Sequence, residues 1–483
     1  MKNIMKYYDV VVIGSGPAGQ KAAIQGAQLG QRVLVIEQDI HVGGACVHYG
    51  TIPSKTLRES AQSLVRFQQH CGTFAEVQMR KDLAVAHLMS RLPRVVQEHE
   101  RSMDEQLQRH DVTQWHGRAR FVSPHELDVL VPDGSHIHVT GAVIIIATGS
   151  RPYTPPEVPV DHEHILDSDS MSSCMSRPAS LTVLGSGVIA CEYASIFAAL
   201  GVQVCIIDRE ERPLGFLDAE LIQRFVRSFE ARGGRFLGQQ RVLNVAWDGL
   251  STVVTTLANG VTIRSEKLLC ALGRVANIAG LNIGAAGLTC TPSGLLEVDE
   301  HCRTVVPHIY AVGDITGPPA LASCAMEQGR RAIRHAMGLE VGHIAELIPL
   351  GIYTIPEIAS VGLNEVEARQ RYGGVLVGRA RFDELARGQM AGTTDGLLKL
   401  VADPKGQRLL GVQIVGEGAT ELIHIGQMGL LAQNDVDTFV DHIFNFPTLA
   451  EGYRVAALHI ARQRPGGVEY HHIYQTLTAT IPS

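Results

Sequence analysis

Residues 7–19 read Tyr7-Tyr8-Asp9-Val10-Val11-Val12-Ile13-Gly14-Ser15-Gly16-Pro17-Ala18-Gly19. A short apolar run stopped by glycine has the pattern of a buried strand. It enters a G-x-G-x-x-G turn, a helical stretch follows to Gly30, and a second strand, Arg32–Ile36, ends at Glu37. In this setting Gly14 permits the tight turn, Gly16 lets backbone N–H groups approach a pyrophosphate, and Gly19 lets helix pack on strand. The helix N-terminus favours the anion. Glu37, 18 residues past Gly19, is placed to accept from a ribose hydroxyl. The glycines alone are a weak signal. With strand, helix, second strand and acid in register they specify a βαβ dinucleotide site.

The same grammar recurs. Leu181–Leu184 reads as strand, followed by Gly185-Ser186-Gly187-Val188-Ile189-Ala190, a helix to Leu200, and a strand Val202–Ile207 ending at Asp208. Alanine is an accepted third residue of the turn. Two such units in one chain predict an α/β protein with two nucleotide sites. Asp208 suits the 2′-hydroxyl of NAD and repels the 2′-phosphate of NADP, whereas Arg209 and Arg212 are able to pair with that phosphate. This mixed neighbourhood predicts weak discrimination between the two. The alternative is that both arginines are merely solvated.

Between and beyond the units stand shorter signals. Gly43-Gly44-Ala45-Cys46-Val47-His48-Tyr49-Gly50-Thr51-Ile52-Pro53-Ser54-Lys55 follows the first unit. From Lys55 to about His110 the pattern is helical, with Leu57, Ala61, Leu64 and Val65 on one face and Leu83, Ala86, Leu88, Leu92 and Val95 on another; Pro93 is expected to kink or split the second stretch. Residues 119–146 alternate like strands and end in Ala147-Thr148-Gly149-Ser150-Arg151-Pro152. Later come Gly273-Arg274-Val275-Ala276-Asn277, the run from Thr304 to Gly313-Asp314, a helical stretch Leu321–His335, and Asn445-Phe446-Pro447-Thr448-Leu449-Ala450-Glu451.

Taken together these segments resemble the flavoprotein disulfide reductases, a family of pyridine nucleotide-disulfide oxidoreductases, in that family's own order from residue 7 to about 460. Its redox segment is G-G-T-C-x-x-x-G-C-I-P-S-K, its flavin elements are A-T-G-S-x-P and T-x-x-x-x-[IV]-Y-A-x-G-D, and its interface segment is H-P-T-x-x-E. The resemblance implies two Rossmann-like domains, for FAD and NAD(P), and a C-terminal α+β dimerisation domain. It places a first FAD part at 1–152, the NAD(P) domain at 153–278, a second FAD part at 279–346, the interface domain at 347–463 and a tail at 464–483. It assigns Gly14, Gly16, Gly19, Glu37, Gly44, Cys46, Lys55, Thr148, Gly149, Gly313 and Asp314 to FAD, Asp314 accepting from the ribityl chain. Gly185, Gly187, Ala190, Asp208, Arg209 and Gly273 go to NAD(P).

Two departures decide the implied chemistry. The second redox cysteine is Thr51, which forms no disulfide and no thiolate with Cys46 to carry electrons. The proton-shuttling histidine is Phe446, which has no titratable proton, while Glu451 remains. Both substitutions match one branch of the family, with G-G-x-C-x-H-x-G-T-I-P-S-K and F-N-[FY]-P-T-x-A-E-x-Y-R-V-A-A-L. That resemblance implies reversible hydride transfer between NADPH/NADP and NAD/NADH through flavin N5, without a dithiol. Lys55 and Glu192 match an ion pair that tunes the flavin in relatives. Cys46 is expected to be a buried thiol without a redox role, a contact to the flavin edge being the other reading; His48 and Tyr49 receive no chemistry. The competing functions are an NAD(P)H:quinone reductase and a flavin-binding protein without turnover.

Composition narrows the partners. The 483 residues, 45% hydrophobic and 19% charged with net charge −7, describe a globular chain with no basic stripe for nucleic acid or anionic membrane. No apolar run approaches the roughly 20 residues of a membrane span, and a cytoplasmic location is expected. The nine cysteines form no C-x-x-C pair and are expected to be mostly buried thiols. No metal-ligand spacing is present, and His471-His472 in the tail reads as solvated. Nicotinamide nucleotides and a second copy of the chain, as homodimer or larger homo-oligomer, are the expected partners.

Overall fold

A computed structural model describes residues 6–71, 88, 90–171, 176–342 and 346–464. Two compact units emerge: one from Met1–Leu57, Asp82–Arg177 and Leu269–His343, the other from Arg58–Lys81, Pro178–Leu268 and Ile344–Ser483. Among the described residues no helix is long and apolar enough to cross a membrane.

The first unit is built on Lys6–Ile13. Val10, Val11 and Val12 are all fully buried, the signature of a parallel strand covered on both faces. Val33–Glu37 lies parallel on one side, with Val10 facing Val33, and His136–Ile146 lies parallel on the other, with Ile13 facing Ile146. The long strand His136–Ile146 divides its partners: Leu127 faces Val139 in an antiparallel pair, and Ile309 faces Ile144 in a parallel one. Thr113–His116 extends the sheet beyond Val33–Glu37. Successive strands thus leave Lys6–Ile13 in opposite directions, creating the switch point where open α/β sheets bind ligands. Helices Pro17–Gln28 and Ala322–Ala336 approach backbone to backbone, since a Cβ on Gly329 would stand 2.2 Å from the Ala18 carbonyl oxygen.

The second unit repeats the parallel pattern in Ser180–Leu184, Gln203–Ile207 and Arg235–Leu237. It also holds a three-stranded antiparallel sheet, Val242–Trp247, Val253–Leu257, Thr262–Ser265, and a five-stranded antiparallel one, ordered Leu350–Ile352, Ile358–Gly362, Leu409–Val415, Leu397–Ala402, Leu376–Arg381, with helices Ala419–Leu431 and Glu451–Gln463. The last helix presses on the edge strand, a Cβ on Gly378 falling 1.9 Å from the Ala456 carbonyl oxygen.

Lys399 breaks the apolar strand Leu397–Ala402, yet its side chain is only 2% exposed. Its Nζ lies 2.8 Å from Asp218 Oδ2, 2.7 Å from Glu365 Oε2 and 3.3 Å from Glu220 Oε2. Burial pulls the Lys399 pKa down, but hydrogen bonds with Asp218 and Glu365 outweigh it and raise the group. Burial pushes Glu365 up, and its hydrogen bonds with Lys399 and Arg369 hold it below the ordinary range. Lys399→Met strands the buried Asp218 carboxylate and is expected to cost about 3–5 kcal/mol in a urea titration. A raised lysine stabilises fully below its unfolded pKa and is lost as pH rises through the folded value. A depressed carboxylate stabilises above its unfolded pKa and is lost as pH falls through the folded one. The difference between wild type and variant is therefore full from about pH 5 to 10 and shrinks on both sides. An unchanged urea midpoint contradicts this account.

Three expectations need correction. Pro93 does not kink its helix; it sits in the first turn of Leu92–Arg109, where its missing N–H costs nothing. The helix expected from Lys55 begins at Thr51 and runs to Cys71, so Thr51 opens it and Lys55 follows one turn later. The cysteines are less buried than expected: Cys191, Cys270 and Cys302 are buried, Cys46, Cys205 and Cys324 are half-buried, and Cys290 is exposed. Leu57, Ala61 and Val65 are buried as expected, whereas Leu83, Ala86 and residues 465–483 lie outside the described residues.

Candidate functional site

The first fingerprint turn is fixed by backbone contacts that only glycine permits. Gly14 has φ +101°, and a Cβ there would lie 2.5 Å from the Ala147 carbonyl oxygen. A Cβ on Gly19 would lie 1.9 Å from the Gly14 carbonyl oxygen. Gly16 differs, because its φ is −62° and a Cβ would meet no protein atom within 4 Å. Nothing in the protein demands glycine at that position. The open space beside it, at the N-terminus of Pro17–Gln28, fits a pyrophosphate approaching the backbone. This cradle suits FAD.

Glu37 stands at the end of its strand as expected, but it also braces the turn. Its Oε2 accepts from Ser15 N at 2.7 Å and from Ser15 Oγ at 2.7 Å, and its Oε1 accepts from Asp39 N at 3.1 Å. Ser15 Oγ accepts in turn from Gly43 N at 3.1 Å. A carboxylate has about four lone-pair sites, so capacity remains for a ribose hydroxyl. The Gly43-Gly44 pair follows from geometry. Both have positive φ, +119° and +57°, and a Cβ on Gly44 would stand 3.2 Å from Gly16 Cα.

That contact carries the chain into helix Gly44–His48 and then Thr51–Cys71, bringing Thr51 against Cys46. Burial raises the Cys46 pKa; a hydrogen bond with Thr51 and the Lys55 charge oppose it, and Asp314 adds to it. The thiol is neutral at physiological pH. The holoprotein is expected to lack the long-wavelength band of a thiolate beside a flavin from pH 6 to 8, roughly, and Cys46→Ser is expected to keep turnover within about twofold. A thiolate band at neutral pH contradicts this. Lys55 Nζ donates to Ser54 Oγ at 3.4 Å. His48 Nε2 bonds the Val42 carbonyl at 2.8 Å, a loop-holding role, and Tyr49 is 40% exposed.

The remaining flavin elements converge in the same unit. Gly149 has φ +66° and Gly313 φ +80°. Asn277 clamps the first of these turns, its N donating to Gly149 O at 2.9 Å and its Nδ2 to Thr148 O at 3.2 Å. Gly313 N donates to Gln328 Oε1 at 2.8 Å. Asp314 Oδ2 accepts from Ser150 Oγ at 2.6 Å. Sequence reasoning had Ser150, Arg274 and Asn277 only as letters of motifs. A hydroxyl beside a left-handed glycine and an Arg–Asn pair were the available signals, and neither names a partner.

In the second unit Gly185 has φ +100°, and its N donates to Ile207 O at 2.9 Å. Gly187 matches Gly16: its φ is −74° and a Cβ would meet nothing within 4 Å. Ala190 is fully buried. Asp208 Oδ1 accepts from Glu210 N at 2.8 Å, Arg212 Nη2 is turned to Gly215 O at 2.9 Å, and Arg209 is exposed. Glu192, 4% exposed, accepts at Oε1 from Tyr353 N at 2.9 Å. Gly273, φ +116°, belongs to the first unit, where its carbonyl accepts from Tyr153 N at 3.0 Å. Phe446 is 69% exposed, and Glu451 opens the last helix. Among the described residues no three histidine, cysteine or acidic side chains gather as metal ligands.

Residues 8–329 match the family model described as pyridine nucleotide-disulphide oxidoreductase, and residues 348–457 match that family's dimerisation domain. Among curated proteins, one from Mycobacterium bovis named soluble pyridine nucleotide transhydrogenase is 43% identical, over 94% of this chain and 97% of its own length. Proteins of the same name from Hahella chejuensis and Vibrio atlanticus are 40% and 39% identical over 93% and 94% of this chain, each match spanning 97% of the relative. Among solved structures, LpdA from Mycobacterium tuberculosis superposes with TM-score 0.86 at 27% identity, over 94% of this chain and all of that one. The HOCl-induced flavoprotein disulfide reductase RclA from Escherichia coli gives 0.84 at 25%, over 93% of this chain and 99% of RclA.

Proposed function

The chain belongs to the pyridine nucleotide-disulphide oxidoreductase family, and from that premise we propose that it is a flavin-dependent NAD(P) transhydrogenase, moving hydride between NADPH and NAD⁺ in either direction. One observation carries the reading: both dinucleotide cradles are intact while the dithiol route is closed, because residue 51 is a threonine and gives Cys46 no second thiol. Curated relatives at 39–43% identity bearing that activity in their name support it.

FAD, when bound, supplies an N5 that accepts hydride from one nicotinamide and returns it to another. The Gly14–Gly19 turn and the helix behind it hold the pyrophosphate, Glu37 the ribose, and Asp314 the ribityl chain. Lys55 places a positive charge at the flavin edge. Glu192, fixed by the Tyr353 N–H, orients the nicotinamide. The Gly185–Ala190 turn holds the pyrophosphate common to both nucleotides, and Asp208 with Arg209 reads the 2′ position weakly. Arg212, held by its own loop, plays no part. No step asks a residue to give or take a proton, in keeping with a neutral Cys46 and with Phe446.

The family's dimerisation domain spans 348–457, and the chain forms a homo-oligomer. Within that domain Ile443 is 93% and Phe446 69% exposed, apolar surface that a second copy would cover. We place the protein in the cytoplasm, where the free cysteines of the described residues stay reduced.

One nucleotide site serving both partners in turn requires the first to leave before the second binds. Initial rates at varied NADPH and NAD⁺ are expected to give parallel double-reciprocal lines. Intersecting lines would contradict the single-site scheme. In Lys55→Met the flavin midpoint potential is expected to fall; an unchanged potential removes the role given to that charge.

A further inference from the structure

We propose that Arg274 is a positioning residue for the flavin, acting through Ser150 on the carboxylate of Asp314. The inference rests on FAD being the bound group and on no other part of the functional reading.

The chain of bonds has one possible direction. Arg274 Nε lies 2.8 Å from Ser150 Oγ, and Ser150 Oγ lies 2.6 Å from Asp314 Oδ2. A guanidinium only donates, and it cannot be deprotonated in a protein. The serine oxygen therefore accepts from Arg274. Its single proton has Asp314 Oδ2 as its acceptor, at the short distance of a charge-assisted O–H···O⁻ bond. A serine hydroxyl is ordinarily a free rotor. Here the arginine removes that freedom, and the carboxylate is held by one oxygen so that an incoming donor meets Oδ1.

The arginine is itself over-determined. Its Nη2 donates to Ser150 O at 2.7 Å, and its Nη1 donates to Asp169 Oδ1 at 3.0 Å and Ser168 Oγ at 3.2 Å. Beneath it, strand Arg274–Ala276 pairs antiparallel with Ser150–Pro152, Ala276 facing Ser150. Ser150 is 8% exposed, so water does not readily replace the arginine as its donor. Asp314 follows Gly313, where a Cβ would lie 3.5 Å from Ala18 Cβ on the fingerprint helix, and its charge is felt at Cys46. The end of the relay is thus inside the flavin cradle, while its origin lies 124 residues from Ser150 in the sequence.

The test is a double-mutant cycle read as FAD affinity of the apoprotein by flavin fluorescence. Ser150→Ala is expected to weaken FAD about tenfold, and Arg274→Gln about tenfold in the Ser150 background. Because the two act in series, Arg274→Gln is expected to cost less than about threefold in the Ser150→Ala background. Ser150→Thr, which keeps the hydroxyl, is expected to stay within about threefold of wild type, and the Ser150→Ala apoprotein to keep a cooperative thermal transition, shifted down by the lost buried bonds. Equal losses in both backgrounds, or an FAD affinity that neither substitution moves, overturn the relay while leaving the functional reading intact. A wild-type chain that takes up no FAD overturns that reading and the relay together.

Discussion

Gly16→Ala is expected to give a chain that folds and melts like the wild type but has lost its flavin. The effect is large because it comes wholly from the ligand side. A Cβ at Gly16 meets no protein atom within 4 Å, and φ of −62° suits any residue, so the apoprotein has nothing to repack. The methyl group stands where the backbone must approach a pyrophosphate. An FAD dissociation constant raised on the order of 100-fold, about 2.7 kcal/mol, is expected in fluorescence titration of the apoprotein. Gly19→Ala is the contrast: its Cβ would lie 1.9 Å from the Gly14 carbonyl oxygen, so helix and strand must separate and the apoprotein itself loses stability. If Gly16→Ala bound FAD normally, or lowered the melting temperature as Gly19→Ala does, the cradle would be misassigned.

Gly187→Ala applies the same logic to the second cradle and separates the two sites. The Cβ again enters open space, at φ −74°. The variant is expected to be purified yellow, with a full complement of FAD. Its affinity for NADPH and for NADH is expected to fall together, on the order of 30–100-fold, because the pyrophosphate is common to both. On the proposed reading Asp208 and Arg209 set the ratio between the two nucleotides, so that ratio is expected not to change. Loss of NADPH binding alone would show that Gly187 reads the 2′ position and that one shared cradle is the wrong description.

The fold was legible wherever a residue type has only one physical use. Val10–Ile13 admits little besides a buried strand, and Gly14 and Gly19 sit where any Cβ would strike backbone. Those constraints are local, and so were read. Gly313 and Gly149 were read through their motifs; what they need is a positive φ, +80° and +66°, and not room for a close backbone. What was missed is non-local chemistry. Ser150 and Asp314 are 164 residues apart, and Lys399 lies 181 residues from Asp218; nothing in Leu397-Leu398-Lys399-Leu400 announces a buried cation. Glu37 was read for its ligand and not for its second task of holding Ser15. Pro93 was read as a kink because a periodic pattern shows that a helix exists and only poorly shows where it starts.

The measurement that tests the central claim most directly is an oxygen-free assay of the purified holoprotein with NADPH and thio-NAD⁺, following reduced thio-NAD. Sustained turnover is predicted, many equivalents per flavin, with no thiol or quinone added. If NADPH bleaches the flavin and thio-NAD⁺ does not restore its colour, the transhydrogenase reading is contradicted and a different oxidant, a quinone first, takes its place. If NADPH does not bleach the flavin at all, the chain is a flavin-binding protein without turnover.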